Sequence, residues 1–202
     1  MVMESSFLER HPQAKDALGF ATLIVLVILG TLFINTYIFR SFSVQGISSE
    51  NTMSTGDHLI INRVPVTVEQ LKNKTYVPPR GQFIVFKNPA WATGQPDEFI
   101  VKRVIAYGGE RVTVKDGILK VYNSQHPEGF EPDKDMKHGR PKSPTSGNVD
   151  EIVTDGMIFV SGDNRIDQNS YDSRNGLGLI PLGDIIGPVS LRIWPIIKLS
   201  TF

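Results

Sequence analysis

The sequence has no cysteine among its 202 residues. This absence excludes disulfide bonds, thiolate catalysis and metal sites with cysteine ligands, and it permits an oxidising or extracellular setting. The chain also lacks a net charge, because 21 basic residues balance 21 acidic ones. Proteins that bind nucleic acid usually carry an excess of basic residues, so the composition argues against a nucleic-acid partner.

Long runs with helical periodicity are missing too, apart from one apolar segment near the N-terminus, and no repeat is visible. Short stretches rich in branched and aromatic residues predict strands instead. The predicted strands lie within 58–64, 81–87, 98–106, 110–122, 156–164 and 185–194. The stretch 110–122 is expected to form a hairpin that turns at Asp116-Gly117. The chain after the apolar segment is therefore predicted to be mainly β.

Residues 123–150 interrupt the predicted strands with a polar stretch rich in proline, glycine and lysine. This composition is typical of a long surface insertion. Hydrophobic residues still make up 40% of the whole chain, which is enough for a sizeable core.

The apolar segment, from Ala17 to Phe39, contains no charged residue. As a helix it would be roughly 35 Å long, enough to cross a bilayer, and aromatic residues near its far end suit the membrane interface. A cleaved secretory signal is the alternative, because Ser41-Phe42-Ser43 loosely fits a cleavage site. The segment is longer than the usual apolar core of such signals, so we predict a single-pass protein of the cell membrane.

The orientation of this segment is only weakly indicated, since the basic residues on its two sides are few. They are Arg10, Lys15 and Arg40. We predict a short cytoplasmic N-terminus at 1–16, a transmembrane helix at 17–39 and an extracytoplasmic domain at 40–202.

Two adjacent serines, Ser48 and Ser49, lie in a polar stretch just after the apolar segment. A serine nucleophile needs a base, and the usual base is histidine. The histidines are His11, His58, His126 and His138. His58 begins a predicted strand near the serines but is more typical of a surface residue, and no histidine has an evident orienting carboxylate. A Ser-His-Asp triad is therefore weakly supported.

Lys102 offers a different base. Residues two apart in a strand share a face, so Ile100, Lys102 and Val104 should point the same way. Burial among apolar side chains lowers the pKa of an ammonium group, and a neutral amine can accept a proton from serine. The neighbouring Arg103 cannot, because its guanidinium stays protonated. The spacing alone leaves open the alternative that Lys102 reaches solvent from a strand edge.

Several short patterns follow one another along the chain in a recognisable order. A membrane anchor precedes a serine eight residues before Gly56-Asp57, and then come "PRGQF", "KRVIA…GGE.V" and "GDNR…S.DSR". The combination resembles bacterial type I signal peptidase, a membrane-anchored Ser/Lys endopeptidase with a mostly β catalytic domain. The resemblance extends from the anchor to the C-terminus and is weakest in the insertion.

The resemblance implies an N-terminal transmembrane helix followed by a β-rich catalytic domain that cleaves N-terminal signal peptides. The expected substrates are exported preproteins with small residues at positions −1 and −3. A lipid bilayer is the second expected partner, and the secretion translocon is a candidate third. The resemblance implies neither a metal nor an organic cofactor.

Matching the motifs residue by residue assigns Ser48 as the nucleophile and Lys102 as the general base. Gly46 falls where some members use a hydroxyl to help bind the oxyanion. Glycine has no such group, so the resemblance implies backbone N–H donors there, including that of Ser48. Ser170 matches the serine that positions the lysine. The resemblance also assigns a scaffold role to Asp163, Asp172 and Arg174.

The chain departs from the family pattern at a few positions. Ser49 replaces methionine, Asn51 replaces proline, Met53 replaces leucine and Gln82 replaces aspartate, and the gap from "GDNR" to Ser170 is about two residues longer. Exchanging methionine for serine removes apolar contact. A catalytically silent homologue that acts as a membrane-anchored binding or scaffold protein therefore remains an alternative. A self-cleaving Ser/Lys repressor-type protease is a second one, although the anchor and the lack of a basic DNA-binding region argue against it.

Overall fold

The computed structural model of the protein describes residues 11–91, 98–136 and 139–202. A long helix, α1, is followed by a π-helical turn at Ile34–Ile38 and a domain made mainly of strands, with one short helix, α2. The helices are α1 (Pro12–Phe33) and α2 (Val64–Leu71). The strands are β1 (Phe39–Ser43), β2 (His58–Asn62), β3 (Phe83–Lys87), β4 (Phe99–Tyr107), β5 (Arg111–Lys115), β6 (Ile118–Tyr122), β7 (Val149–Ile152), β8 (Met157–Ser161), β9 (Ile180–Pro181), β10 (Ile185–Trp194) and β11 (Ser200–Thr201). The prediction of a mainly β domain after an N-terminal helix is confirmed.

Helix α1 has the length and composition of a membrane span. Together with the π-helical turn it covers Pro12–Ile38, with a mean hydropathy of 2.7 in its most apolar window and none of that window buried. Pro12 lies in the first turn, where a missing N–H costs the helix no hydrogen bond. Phe39, the last residue of the predicted span, is already extended and pairs with Asn62 of β2.

The larger sheet has the strand order β1-β2-β10-β3-β4-β8-β9, with β11 paired to β10. The long strand β10 joins its two halves, because its first residues pair with β3 and its last residues pair with β2. Strand β4 lies between β3 and β8, and Lys102 is opposite Ile84 in the β3 ladder. This arrangement places β4 at the centre of the domain core.

The smaller sheet contains the hairpin that the sequence predicts. Strands β5 and β6 are joined by Asp116 (φ 52°) and Gly117 (φ 82°), and β7 pairs with the other side of β5. A two-residue hairpin turn of this kind needs positive φ at both positions, which Asp-Gly provides. Buried valines of this sheet, Val112 and Val114, pack with Phe159 of β8 in a second core cluster.

Glu110 connects the two sheets just before β5. Its carboxylate accepts hydrogen bonds from Arg80 (2.7 Å), Asn123 (2.8 Å) and the Tyr107 N–H (2.9 Å). Burial raises the pKa of Glu110, but these hydrogen bonds outweigh it and hold the pKa below its ordinary value.

The insertion at 123–150 is tied to the domain at several points within its described residues. Phe130 forms a β-bridge with Val121. Asp133 lies in a 3₁₀ turn, Pro132–Asp135, and binds the buried Arg165 through two hydrogen bonds of 2.8 and 2.9 Å. The arginine comes from the "GDNR" motif, so the insertion supports the loop that carries this motif.

Helix α2 is not predicted from the sequence, and the strand predicted over 58–64 is wrong at its end. Strand β2 stops at Asn62 and the helix begins at Val64. Pro65 lies in the first helical turn, where proline is well tolerated. The helix exposes Val64, Val68 and Leu71 on one side.

Candidate active site

Ser48 lies in the loop that joins β1 to β2. Two backbone hydrogen bonds close the base of this loop. The Val44 N–H donates to the carbonyl oxygen of Asp57 (2.8 Å), and the Gly56 N–H donates to the carbonyl oxygen of Val44 (3.0 Å). Gly46 has a φ of 86°, a left-handed conformation that favours glycine, and it lies just before the serine. The loop therefore holds Ser48 close to the mouth of a cleft.

Ser48 and Lys102 are in direct contact. The Lys102 Nζ donates a hydrogen bond to the Ser48 Oγ at 2.8 Å and another to the Val101 oxygen at 3.1 Å. Only 3% of Lys102 is exposed, and Ile100 and Val104 on the same face are also buried. The lysine therefore does not reach solvent from a strand edge, and it has the apolar surroundings that the strand pattern predicts.

The backbone at Ser48 is held by the loop after β8. The Asn164 backbone N–H donates to the backbone carbonyl oxygen of Ser48 at 3.0 Å. The Asn164 side chain donates to the backbone carbonyl oxygen of Ile47 at 3.1 Å. Gly162 packs so closely against this backbone that an added Cβ would collide with the backbone carbonyl oxygen of Ser48 and with the Ser170 Oγ. Within the described part of the chain the Ser48 N–H forms no hydrogen bond, so it is available to an oxyanion.

A buried ion pair joins β4 to the loop after β8, and Thr52 connects the serine loop to this pair. Arg103 donates to Asp163 at 2.8 and 2.6 Å, and neither side chain is exposed. The Thr52 hydroxyl donates to the same carboxylate. Because Arg103 follows Lys102, this pair fixes the lysine strand relative to the loop that carries Ser48.

A second buried pair holds the segment after "GDNR". Arg174 and Asp172 form a salt bridge of 2.8 Å with both side chains buried, and Asp172 also accepts from the Gly162 N–H at 2.9 Å. Ser170, on the same segment, is buried beside Gly162, and its hydroxyl forms no hydrogen bond with the described residues. A role of Ser170 in positioning Lys102 stays a prediction.

The cleft in front of the Ser48–Lys102 pair has a volume of about 540 Å³. One wall is formed by the end of β1 and the serine loop, and the other by the first half of β4. Its apolar lining includes Phe42, Val44, Leu59, Val85, Phe99 and Ile100. Gln168 and Asn169, from the longer gap before Ser170, border the cleft together with Tyr171.

The residues that depart from the family pattern have clear structural positions. Ser49 is only 2% exposed, and its hydroxyl has no hydrogen-bond partner within the described residues. Asn51 adopts a φ of 60°, which proline cannot adopt. Met53 is buried in the core with Leu59 and Phe83.

The histidines do not contribute to this site as far as the structure describes them. His58 is exposed, and His126 stacks on Phe130 and lies 3.4 Å from Glu128. His138 lies outside the described residues. The described residues also contain no group of three or more histidine, aspartate or glutamate side chains that could hold a metal ion.

Gly162 and Asn164 have structural roles that are not predicted from the sequence, although both belong to "GDNR". The glycine could have been recognised from the sequence, because a glycine in a strand region often marks a point where another part of the backbone approaches closely. The aromatic pair Phe42 and Phe99, with ring centroids 5.2 Å apart, was also missed. These two residues are distant in sequence and no local pattern joins them.

Comparison with known proteins adds independent information. The family model "Signal peptidase, peptidase S26" matches residues 17–194. "Signal peptidase I T" of Bacillus subtilis (strain 168) is 30% identical over 174 residues, which is 85% of this chain and 82% of that protein. "Inactive signal peptidase IA" of Staphylococcus aureus (strain COL) is 29% identical over 188 residues, 91% of this chain and 95% of that protein.

A solved structure is also similar. The crystal structure of a signal peptidase I from Enterococcus faecalis V583 superposes with a TM-score of 0.42 at 22% identity, covering 58% of this chain and 100% of that one.

Proposed function

Since the chain belongs to the signal peptidase family, peptidase S26, we propose that it is an active serine endopeptidase that removes N-terminal signal peptides from exported preproteins. The observation that carries this proposal is the 2.8 Å hydrogen bond between the Lys102 Nζ and the Ser48 Oγ. A nucleophile and a base must be within hydrogen-bonding distance for proton transfer, and these two groups meet that condition.

In the first step a neutral Lys102 takes the proton of the Ser48 hydroxyl while the Ser48 Oγ attacks the carbonyl carbon of the scissile peptide bond. The carbonyl oxygen becomes an oxyanion, which the free Ser48 N–H can stabilise. Arg103 is next to the lysine, but its guanidinium stays protonated and is paired with Asp163, so it cannot serve as the base.

In the second step Lys102 returns the proton to the nitrogen of the leaving amine, the carbon–nitrogen bond breaks, and an ester to Ser48 remains. Lys102, neutral again, then takes a proton from a water molecule that attacks this ester. Collapse of the second oxyanion breaks the bond to Ser48, whose oxygen regains a proton from Lys102. The signal peptide leaves with a new carboxyl terminus.

The shape of the cleft supports an extended peptide as substrate. A peptide segment lying between the end of β1 and the first half of β4 would occupy the cleft of about 540 Å³. Its side chains would contact the apolar residues that line the cleft. The small residues expected at positions −1 and −3 follow from the resemblance to the family, and an apolar lining suits side chains such as alanine.

We also propose that residues 1–16 are cytoplasmic, that 17–39 span the membrane, and that 40–202 lie outside the cytoplasm. The exposed, apolar helix from Pro12 to Ile38 supports the anchor, and cleavage after translocation requires the outer location. Because the chain has no cysteine, single-cysteine variants test this cleanly. A membrane-impermeant maleimide applied to whole cells should label Lys74→Cys and leave Ser5→Cys unlabelled, and the reverse pattern would refute the orientation.

Cleavage of a preprotein by the full chain in detergent tests the activity. Wild type should cleave it, and Ser48→Ala should reduce single-turnover cleavage by at least about 10³-fold because the nucleophile is lost. Lys102→Arg should be similarly impaired despite its positive charge, because arginine cannot accept the proton. Ser49→Ala is the matched control and should keep most activity. A folded Lys102→Arg chain with near-wild-type cleavage would remove the lysine from the mechanism.

The second candidate function is that of a silent homologue that binds preproteins without cleaving them. It is favoured by relatives of comparable identity that are named inactive and by the polar Ser49 at a position where the family has methionine. Against it, Ser48 and Lys102 are in contact, and both buried ion pairs around them are formed. Binding of a preprotein by wild type with no cleavage above the Ser48→Ala background would establish this alternative.

A further inference from the structure

A second pocket lies at the end of the membrane helix, separate from the Ser48–Lys102 pair. Its volume is about 560 Å³, and Asn35 and Thr36, at the end of the helix, form part of its wall. The charged residues that line it are Arg40, Arg63, Lys87 and Glu98. Three positive charges against one negative charge leave the pocket with an excess of two positive charges.

The three basic residues come from different parts of the chain. Arg40 is in β1, with its guanidinium carbon 4.7 Å from the centre of the Phe99 ring. Lys87 ends β3 opposite Phe99 in the β3–β4 ladder, and its Nζ lies 5.9 Å from the centre of the Trp91 ring. The strand pairing therefore brings Arg40 and Lys87 to the same aromatic side chain.

Arg63 occupies the junction of β2 and α2. Its Nε donates to the backbone carbonyl oxygen of Thr36 at 2.5 Å, and its Nη1 donates to the backbone carbonyl oxygen of Ile186 at 3.2 Å. Burial lowers the pKa of Arg63, and the nearby positive charge of Arg40 lowers it further. Within the described residues none of the three basic side chains forms a salt bridge, so their charges are left for a ligand.

The depth of this pocket relative to a bilayer follows from α1. The apolar helix gives way to Asn35 and Thr36 at the pocket, and a polar end of a membrane span lies at the level of the lipid headgroups. Helix α2 starts next to Arg63 and exposes an apolar side beside this end, comprising Val64, Val68 and Leu71. An apolar side of this kind is suited to the boundary between headgroups and acyl chains.

We propose that Arg40, Arg63 and Lys87 form a binding site for the phosphate of an anionic lipid headgroup. Arginine suits phosphate because its planar group donates several parallel hydrogen bonds, and lysine contributes a further charge. At headgroup depth the phosphate of the surrounding lipid is far more concentrated than any soluble phosphate. The net charge of the pocket selects an anionic lipid over a zwitterionic one.

Occupation of this site has a structural consequence for the cleft. Arg40 also stacks on Phe42, at 5.0 Å from the ring centre, and both Phe42 and Phe99 line the catalytic cleft. A lipid phosphate that fixes Arg40 would fix the two aromatic side chains at the cleft.

The test uses the full chain in micelles of a neutral detergent and does not depend on cleavage. Trp91 and Trp194 are the two tryptophans, so Trp194→Phe leaves Trp91 beside Lys87 as the reporter. Titration with phosphatidylglycerol should change the Trp91 emission to saturation, whereas phosphatidylcholine and inorganic phosphate should not. Phosphorus analysis of the chain purified from phosphatidylglycerol-containing membranes should find about one bound lipid phosphate.

The decisive variants remove two charges each. Arg40→Gln/Lys87→Gln should weaken the phosphatidylglycerol response about tenfold or more. Lys74→Gln/Lys115→Gln removes the same charge from exposed positions outside the pocket and should change it less than about twofold. If the first double variant loses its thermal unfolding transition, Lys87→Gln alone replaces it, because that side chain is exposed.

Several results would overturn the proposal. Equal weakening in both double variants would indicate non-specific attraction to the surface charge. An equal response to phosphatidylcholine would remove the preference for anionic lipid, and saturation by inorganic phosphate would mean a soluble ligand. Absence of both a Trp91 response and co-purified lipid would remove the site.

Discussion

Gly162→Ala is a sharp test of how the serine is held, because the change adds one carbon atom at a point of contact. Gly162 has no left-handed backbone conformation, so alanine is acceptable there apart from space. An added Cβ would collide with the backbone carbonyl oxygen of Ser48 and with the Ser170 Oγ. It would also lie 3.0 Å from the Ser170 Cβ. Something must therefore move, and the Ser48 backbone is the nearest obstacle.

The size of the effect can be worked out from this collision. Restoring ordinary contact requires the Ser48 loop or the loop after β8 to shift by about 1 Å, and a misplacement of this size can cost about 10²-fold in rate. This loss corresponds to about 2.7 kcal/mol in the activation free energy. The Ser48–Lys102 hydrogen bond of 2.8 Å is the contact that such a shift lengthens.

Two other glycines provide matched controls. Gly183 has nothing within 4 Å of an added Cβ, so Gly183→Ala should leave both stability and cleavage unchanged. Gly187, in β10, would collide with the Asn62 oxygen of β2. Gly187→Ala should therefore lower the thermal unfolding temperature while the folded molecules cleave at a near-normal rate.

The assay is single-turnover cleavage of a preprotein by the full chain, with the folded fraction measured by circular dichroism at the same temperature. Gly162→Ala should lose about 10²-fold per folded molecule, and Gly187→Ala less than about threefold. If Gly162→Ala cleaves as wild type does, or if the two variants lose activity in parallel with stability, the close contact at Ser48 does not control catalysis.

Two further changes test other parts of the structure. Ser49→Ala removes a buried hydroxyl that has no hydrogen-bond partner in the described residues. Thermal unfolding should therefore show a free energy of unfolding that is equal to that of wild type or higher by up to about 1 kcal/mol. A loss above about 1 kcal/mol would mean that the hydroxyl is hydrogen-bonded. Glu110→Gln should cost about 2 kcal/mol at neutral pH, because the carboxylate accepts from Arg80, Asn123 and the Tyr107 N–H. The pKa of Glu110 is lowered by folding, so its stabilisation is present above pH 4.5 and is lost as the pH falls through the lower folded value. Urea unfolding at several pH values should show the wild type and Glu110→Gln converging in acid, and a constant difference would contradict this assignment.

The parts of the structure that the sequence predicts are those set by local patterns. The turn at Asp116-Gly117 follows from the need for positive φ at both positions. The alternation around Lys102 places it on one face with Ile100 and Val104 but leaves open whether it reaches solvent, and the structure shows it buried. The pairing of Ser48 with Lys102 comes from the resemblance to signal peptidases and not from a local pattern, and the two side chains are in contact although 54 positions separate them.

Other features depend on contacts that no local pattern contains. Helix α2 was missed because its branched residues favour a strand, and the start is determined by Pro65 in the first turn. The support of Arg165 by Asp133 joins a polar insertion to a motif loop. The pocket with Arg40, Arg63 and Lys87 exists only because strand pairing and a helix end assemble distant residues.

The adjacent positions of Lys102 and Arg103 in β4 would make the proposed catalysis depend on correct strand pairing. Neighbouring strand residues point to opposite faces, so Lys102 meets Ser48 while Arg103 meets Asp163. A slip of β4 by one residue would move Lys102 away from Ser48 and bring either Arg103 or Val101 there, and neither side chain can accept a proton. A chain with this slip would therefore lack the proposed base beside Ser48. The proposed proteolysis would thereby be confined to molecules whose central strand has paired in the native register.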